Sequence, residues 1–201
     1  MTSKLIVNSI RHTGASADAI TMDASGNVTF PANATCSGTA TGFGVEGITM
    51  AQRYVFTSPV TFGSSWSTLN NNISVRGTYI GSSMTESSGV FTFPSTGIYR
   101  VSFYGNWLDQ SANNDYLGQK VQYSTDGGSN WVDGVQGWVS GQTNDYASQT
   151  VSMIFDVTNV STHKVRFRAQ SQGNGGAFLF GSNASDNSTL NYFEFIRLGD
   201  T

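Results

Sequence analysis

The stretch Ile98-Tyr99-Arg100-Val101-Ser102-Phe103-Tyr104 alternates apolar and polar positions with a period of two. Tyr99, Val101 and Phe103 fall on one face of an extended strand and Arg100 and Ser102 on the other, as a sheet with one buried face requires. The same alternation recurs downstream, where Val151, Met153 and Phe155 oppose Ser152 and Ile154, and Val165 and Phe167 oppose Arg166 and Arg168. Outward from these runs, short strand-forming segments between turn residues predict strands over 53–56, 73–79, 90–93, 99–104, 118–123, 149–155, 164–169, 176–180 and 190–198. Their spacing is that of a β-sandwich. Between Val121-Gln122-Tyr123 and Trp131-Val132, Asp126-Gly127-Gly128-Ser129-Asn130 reads as a hairpin turn. Its oxygens suggest calcium, but it lacks the closing Glu and helix-flanked spacing of an EF-hand loop, and chain reversal accounts for it.

Composition agrees with an all-β chain. Of 201 residues, 38% are hydrophobic and 11% charged, the latter well below the roughly 25% of an ordinary soluble domain. Gly, Ser, Thr and Asn take the place of charge, which favours strands and turns over exposed helices. The length suits one main core plus a smaller piece. A net charge of -3, with ten scattered Lys and Arg, leaves no basic footprint for a phosphate backbone, so nucleic acid is not an expected partner. Cys36 is the single cysteine, which excludes an intrachain disulfide. Residues 1–11 carry no apolar run of signal-peptide length, and no stretch nears the roughly 18 to 20 apolar residues of a membrane span. The expectation is a chain made in a cytoplasm and not inserted in a membrane.

Residues 1–48 are set apart from 49–201. The clusters Leu5-Ile6-Val7, Ala19-Ile20-Thr21-Met22 and Val28-Thr29-Phe30 are each one short strand long, and Asp23-Ala24-Ser25-Gly26-Asn27 reads as a hairpin loop. Three such strands bury too little apolar surface to fold alone and need other chain around them. The small residues of 36–44 read as a linker or neck. This first segment needs either the following domain or copies of itself, and 49–201 holds the longer all-β pattern.

Nothing in the chain spells out catalysis. His12 and His163 stand far apart without Cys, Asp or Glu at metal-ligand spacing, and no Gly-x-Ser-x-Gly elbow or phosphate-cradling Gly loop occurs. The carboxylates needed in pairs for glycoside hydrolysis fall mostly in predicted loops. Six Asn-x-Ser/Thr triplets occur in a chain rich in these residues. No catalytic residue, cofactor or metal is assigned. The binding candidates are aromatic: Trp107, Trp131, Trp138 and Tyr146, with Trp66, Tyr79 and Tyr116 beside them, at predicted strand ends and loops where flat rings stack on sugars or anchor a protein. The alternative is that they cap the core or fill subunit interfaces.

The run Gly89-Val90-Phe91-Thr92-Phe93-Pro94-Ser95-Thr96-Gly97-Ile98-Tyr99-Arg100-Val101-Ser102-Phe103 resembles the jelly-roll head of the complement first-component recognition subunit and tumour necrosis factor superfamily: a Gly-x-Phe strand, a Pro and Gly turn, then Tyr-x-Val-x-Phe. Arg53-Tyr54-Val55-Phe56 and Asn191-Tyr192-Phe193-Glu194-Phe195-Ile196-Arg197-Leu198 extend the likeness to both ends. The resemblance implies a ten-stranded jelly-roll β-sandwich that forms a homotrimer with aromatic residues along the threefold axis, and binding rather than catalysis. The stretch 107–148 and the lack of a collagen-like stalk depart from it. Residues 3–31 resemble short β modules in fibre and virion proteins of phages infecting cyanobacteria and other marine bacteria. Together these imply a trimeric bacteriophage virion protein, a tail fibre or surface appendage made in the host cytoplasm. Its partners would be other tail or capsid proteins and a host-surface glycan or protein. A capsid decoration or cement protein is the alternative, and a polysaccharide-degrading enzyme a third reading.

Overall fold

The structure is a computed structural model that describes residues 7–30, 47–109, 116–140, 145–171, 177–179 and 191–201. The chain divides into two compact units, Met1–Gly44 and Val45–Thr201. Every regular element among the described residues is a β-strand.

In the first unit β1 (Ser9–Ile10), β2 (Ile20–Met22) and β3 (Val28–Thr29) form an antiparallel sheet in that order. Ile10 pairs with Ile20, and Thr21 with both Ser9 and Thr29. Of the strand expected at Leu5-Ile6-Val7, Leu5 and Ile6 lie outside the described residues, as does the neck at 36–44, and Val7 precedes β1 without belonging to a strand. In the β2–β3 turn, the Asn27 N–H and side-chain amide donate to the Asp23 carboxylate at 2.9 and 2.7 Å. Those bonds hold the Asp23 carboxyl below its ordinary range. Ile10, Val28 and Phe30 stay exposed, as a sheet too small to enclose a core would leave them.

The second unit contains β4 (Met50–Phe56), β5 (Val60–Phe62), β6 (Ser67–Thr68), β7 (Ile73–Val75), β8 (Thr85–Ser87), β9 (Val90–Thr92), β10 (Gly97–Asp109), β11 (Tyr116–Ser124), β12 (Val132–Ser140), β13 (Tyr146–Val157), β14 (Lys164–Ser171), β15 (Ala177–Leu179) and β16 (Tyr192–Gly199). One sheet runs β7-β4-β16-β10-β13, with β15 on the far half of β10 and β5 beside it. The other runs β8-β9-β14-β11-β12, with β6 against β14. After β10 the chain crosses to the second sheet for β11 and β12, returns for β13, crosses for β14 and returns for β15 and β16. This is the wrapping of a jelly roll, and the expected antiparallel all-β sandwich is what the structure contains.

Alternating side chains of both sheets meet in an aromatic core. Phe167 of β14 stacks on Phe193 of β16 at 3.9 Å with planes 7° apart, and Phe91, Phe103 and Phe195 meet them edge-on or tilted. All five rings are fully buried, and such pairs add about 0.5–1.5 kcal/mol each beyond the area they bury. Gln119, also buried, donates from Nε2 to the Phe103 and Gln149 carbonyls at 3.0 Å each, so one amide ties β11 to two strands of the opposite sheet.

Four strands of this unit, β5, β6, β8 and β12, lie outside the expected set, three of them for identifiable reasons. In β8–β9, Ser88 and Gly89 have φ of 53° and 79°, the left-handed pair of a tight two-residue hairpin, and Thr85–Ser87 is too polar to announce itself. β6 is two residues long. In β12, Gly134 and Gly137 replace the apolar side chains that would mark a strand. A Cβ there would come 2.3 Å from Met153 Sδ and 2.1 Å from Gln149 Nε2, so the edge of β12 folds onto side chains of β13.

Candidate functional site

The outward face of the second sheet is built from β11, β12 and β14. Register sets Gly118 between Trp138 and Gln170, Lys120 between Gln136 and Arg168, and Gln122 between Asp133 and Arg166. Trp138 lies flat on Gly118, where a Cβ would come 2.4 Å from its ring. Tyr116 meets Trp138 edge-on at 4.9 Å and Trp66 meets it tilted at 5.3 Å. The Lys120 ammonium sits 4.3 Å from the Trp66 ring centre, and the Arg166 guanidinium 4.2 Å from that of Trp131, both within cation–π range.

Hydrogen bonds fix this lattice. Lys120 Nζ reaches Asp133 at 2.9 Å and Gln122 Nε2 donates to Asp133 Oδ1 at 2.6 Å. Partial burial raises the Asp133 carboxyl, but these donors outweigh it and hold the group below its ordinary value. Arg166 Nε donates to Gln122 Oε1 at 2.8 Å, and Arg168 donates to the Trp66 carbonyl. Burial, with Arg168 beside it, lowers the Arg166 guanidinium below its ordinary value. The hairpin feeding this face is held by Asp126. Its carboxylate accepts from the Asn130 N–H at 2.9 Å, the Ser124 hydroxyl at 2.7 Å and the Asn130 amide at 2.7 Å, and is lowered to about 2. Chain reversal, the expected role of this turn, is the role it has.

The outward face of the first sheet differs. Glu194, only 9% exposed, accepts from Arg53 at 2.7 Å and from Arg100 at 2.8 Å, one guanidinium on each oxygen. Arg53 also covers the Tyr192 ring at 4.6 Å, and Tyr192 stacks on Tyr104 at 5.2 Å. Ile154, opposite Arg100 in the register, is 61% exposed. An open cleft of 620 Å³ beside this cluster is lined by Gln52, Arg53, Arg76, Thr78, Ile80 and Glu194 among others. Glu194 is the one carboxylate on its described lining, and both its oxygens are engaged by cations.

Of the four residues expected to bind, the structure gathers Trp131 and Trp138 on the second sheet. Tyr146, 64% exposed, belongs to β13 of the first. Trp107 is corrected: it is fully buried inside β10, not exposed at a strand end. The period-two signal could have shown this, because Tyr99, Val101 and Phe103 extend through Gly105 to Trp107 on the same inward face. Trp66 and Tyr116 join the cluster, and Tyr79 is exposed away from it. The polar members Lys120, Gln122 and Asp133 were not singled out from sequence, although the outward positions of Arg166 and Arg168 were.

No protein-family model matches the chain, and no curated protein is similar to it in sequence. Solved structures are similar in fold. Eiger TNF from S. frugiperda superposes with a TM-score of 0.57 at 11% identity over 76% of this chain and 94% of that one. Murine APRIL gives 0.52 at 13% identity over 74% and 98%. The globular domain of zebrafish complement 1qA gives 0.52 at 8% identity over 76% and 99%. The fold is a jelly roll of the TNF and C1q kind. At such identities the likeness is one of backbone architecture, and the functional argument rests on this chain's own side chains.

Proposed function

We propose that the chain is a homotrimeric structural protein of a bacteriophage virion, a tail fibre or surface appendage. Its first unit attaches to the particle and its jelly-roll head faces the host. The observation that carries the reading is the outward face of the first sheet. The outer face of a sandwich sheet is ordinarily polar, yet here Tyr104, Tyr192, Ile196 and the 61% exposed Ile154 surround a carboxylate already neutralised by two guanidiniums. Such a surface is suited to burial against further copies, and a jelly roll of this kind does so around a threefold axis. The exposed Ile10, Val28 and Phe30 of the first unit call for partners as well, and the likeness of that segment to phage fibre modules supports the virion setting. In this reading the protein is made in the host cytoplasm and leaves it within the particle.

Light scattering of the full-length protein and of a chain starting at Thr49 tests the assembly: trimers in both support it, and monomers at every concentration overturn it. Immunogold labelling of particles tests the setting. Gold on the tail supports the appendage reading, and gold on the capsid shell replaces it with a decoration protein.

A further inference from the structure

We propose that the outward face of β11, β12 and β14 binds an acidic polysaccharide, a sugar chain bearing carboxylate or sulfate groups. This deepens the reading of a host-facing head, on which it rests for the setting in which the glycan is met.

Two observations converge. The first is a preformed aromatic platform. Trp138, 45% exposed, is seated on Gly118, flanked by Trp66 and Tyr116. Rings so fixed offer apolar faces to the C–H side of a pyranose with little ordering left to do on binding. The second is a local charge imbalance on a chain of net charge -3. Among the described outward positions of these strands Asp133 is the sole carboxylate, and Lys120 neutralises it. Lys164, Arg166 and Arg168 hydrogen-bond to neutral groups, the Thr92 hydroxyl, the Gln122 amide and the Trp66 carbonyl. Lys120, Lys164, Arg166 and Arg168 outnumber the one carboxylate of Asp133, which also attracts Arg166 and Arg168; the excess of positive charge is complementary to an acidic ligand, and Gln122 at its border suits sugar hydroxyls. Nucleic acid is the competing polyanion for the same cations, and the test below includes it.

The test is calorimetric titration of the full-length protein with polygalacturonate, dextran sulfate and neutral dextran of matched length. The acidic polymers are expected to bind at least about tenfold more tightly than dextran, with affinity falling as salt rises. Trp138→Ala is expected to weaken binding about tenfold or more, as loss of a stacked ring does. Gly118→Val, which pushes the Trp138 ring off its seat, is expected to act in the same direction, and Trp138→Phe to restore part of the loss. Arg166→Gln with Arg168→Gln is expected to abolish the preference for acid. Equal affinity for dextran and dextran sulfate, no binding at all, tighter binding of oligothymidylate, or loss of self-association in Trp138→Ala would each overturn the inference. Light scattering on the same samples keeps it separate from the proposed assembly. A monomer that binds the acidic polymers overturns the trimer alone, and a trimer that binds none overturns the glycan site alone.

Discussion

Replacing Ile154 by Ser removes the most exposed aliphatic side chain from the first sheet's outer face without touching the core. Ile154 alternates with the half-buried Met153 and the buried Phe155, and 61% of its surface is open to water in the single chain. Burying a whole Ile is worth about 1.5–3 kcal/mol, so the uncovered fraction leaves about 1–2 kcal/mol per copy to be gained at an interface. Three copies make this about 3–5 kcal/mol per trimer, or roughly 10²- to 10⁴-fold in the trimer association constant. The single chain should lose little, since a surface substitution on a strand shifts stability by under about 1 kcal/mol. Mass photometry on serial dilution, with thermal unfolding of the dilute chain as control, reads both quantities. A variant that stays trimeric to the same dilution as the parent would refute the assignment of this face to the threefold contact.

Further expectations concern the fold. Phe167→Ala removes one member of the 3.9 Å stack with Phe193 and should cost about 3–5 kcal/mol, read as a lowered denaturant midpoint with the slope retained; a midpoint within error of the parent would show that the two sheets do not depend on this ring pair. Gly89→Ala combines φ of +79° with a Cβ 2.5 Å from the Leu69 carbonyl, a backbone atom that cannot swing aside, so a loss of more than about 1 kcal/mol is expected by the same measurement. For Asp126 the folded carboxyl titrates at about 2 against 3.8 ordinarily. Its contribution is complete above pH 3.8 and disappears as pH falls through the folded value. The stability gap between parent and Asp126→Ala should therefore narrow in acid, and a gap that widens there would contradict the hydrogen-bonded turn.

Period-two alternation made β10, β13 and β14 legible, because Tyr99, Val101 and Phe103, then Val151 and Phe155, then Val165 and Phe167 each present one apolar face to a single core. The same rule carried further would have placed Trp107 inside. It fails at β12, where close approach to Met153 and Gln149 demands glycine and removes the apolar marker. The site was half legible. Arg166 and Arg168 had to point away from the core once Val165 and Phe167 pointed into it. Their partners could not be read, since Trp131 reaches Arg166, and Trp66 reaches Lys120 and Trp138, only through the registers of β6, β11 and β12 on β14. Pairings that depend on long-range register leave no local trace in the chain.

The two outward faces also differ in what dehydration would cost them. On the first sheet the charges are already matched, Glu194 between Arg53 and Arg100, so covering the face leaves no charge without a partner. On the second, Lys120, Lys164, Arg166 and Arg168 share the single carboxylate of Asp133, so burial against an uncharged surface would leave positive charge unmatched, whereas an acidic ligand would supply countercharge. The proposed division of labour, copies of the chain on the first face and ligand on the second, accords with these costs. Because the faces lie on opposite sides of one aromatic core, Ile154→Ser and Trp138→Ala should act independently, their effects on assembly and on glycan affinity adding in the double variant within about 0.5 kcal/mol. Strong non-additivity would mean that both substitutions perturb a single interface, and the separation of the two roles would fall with it.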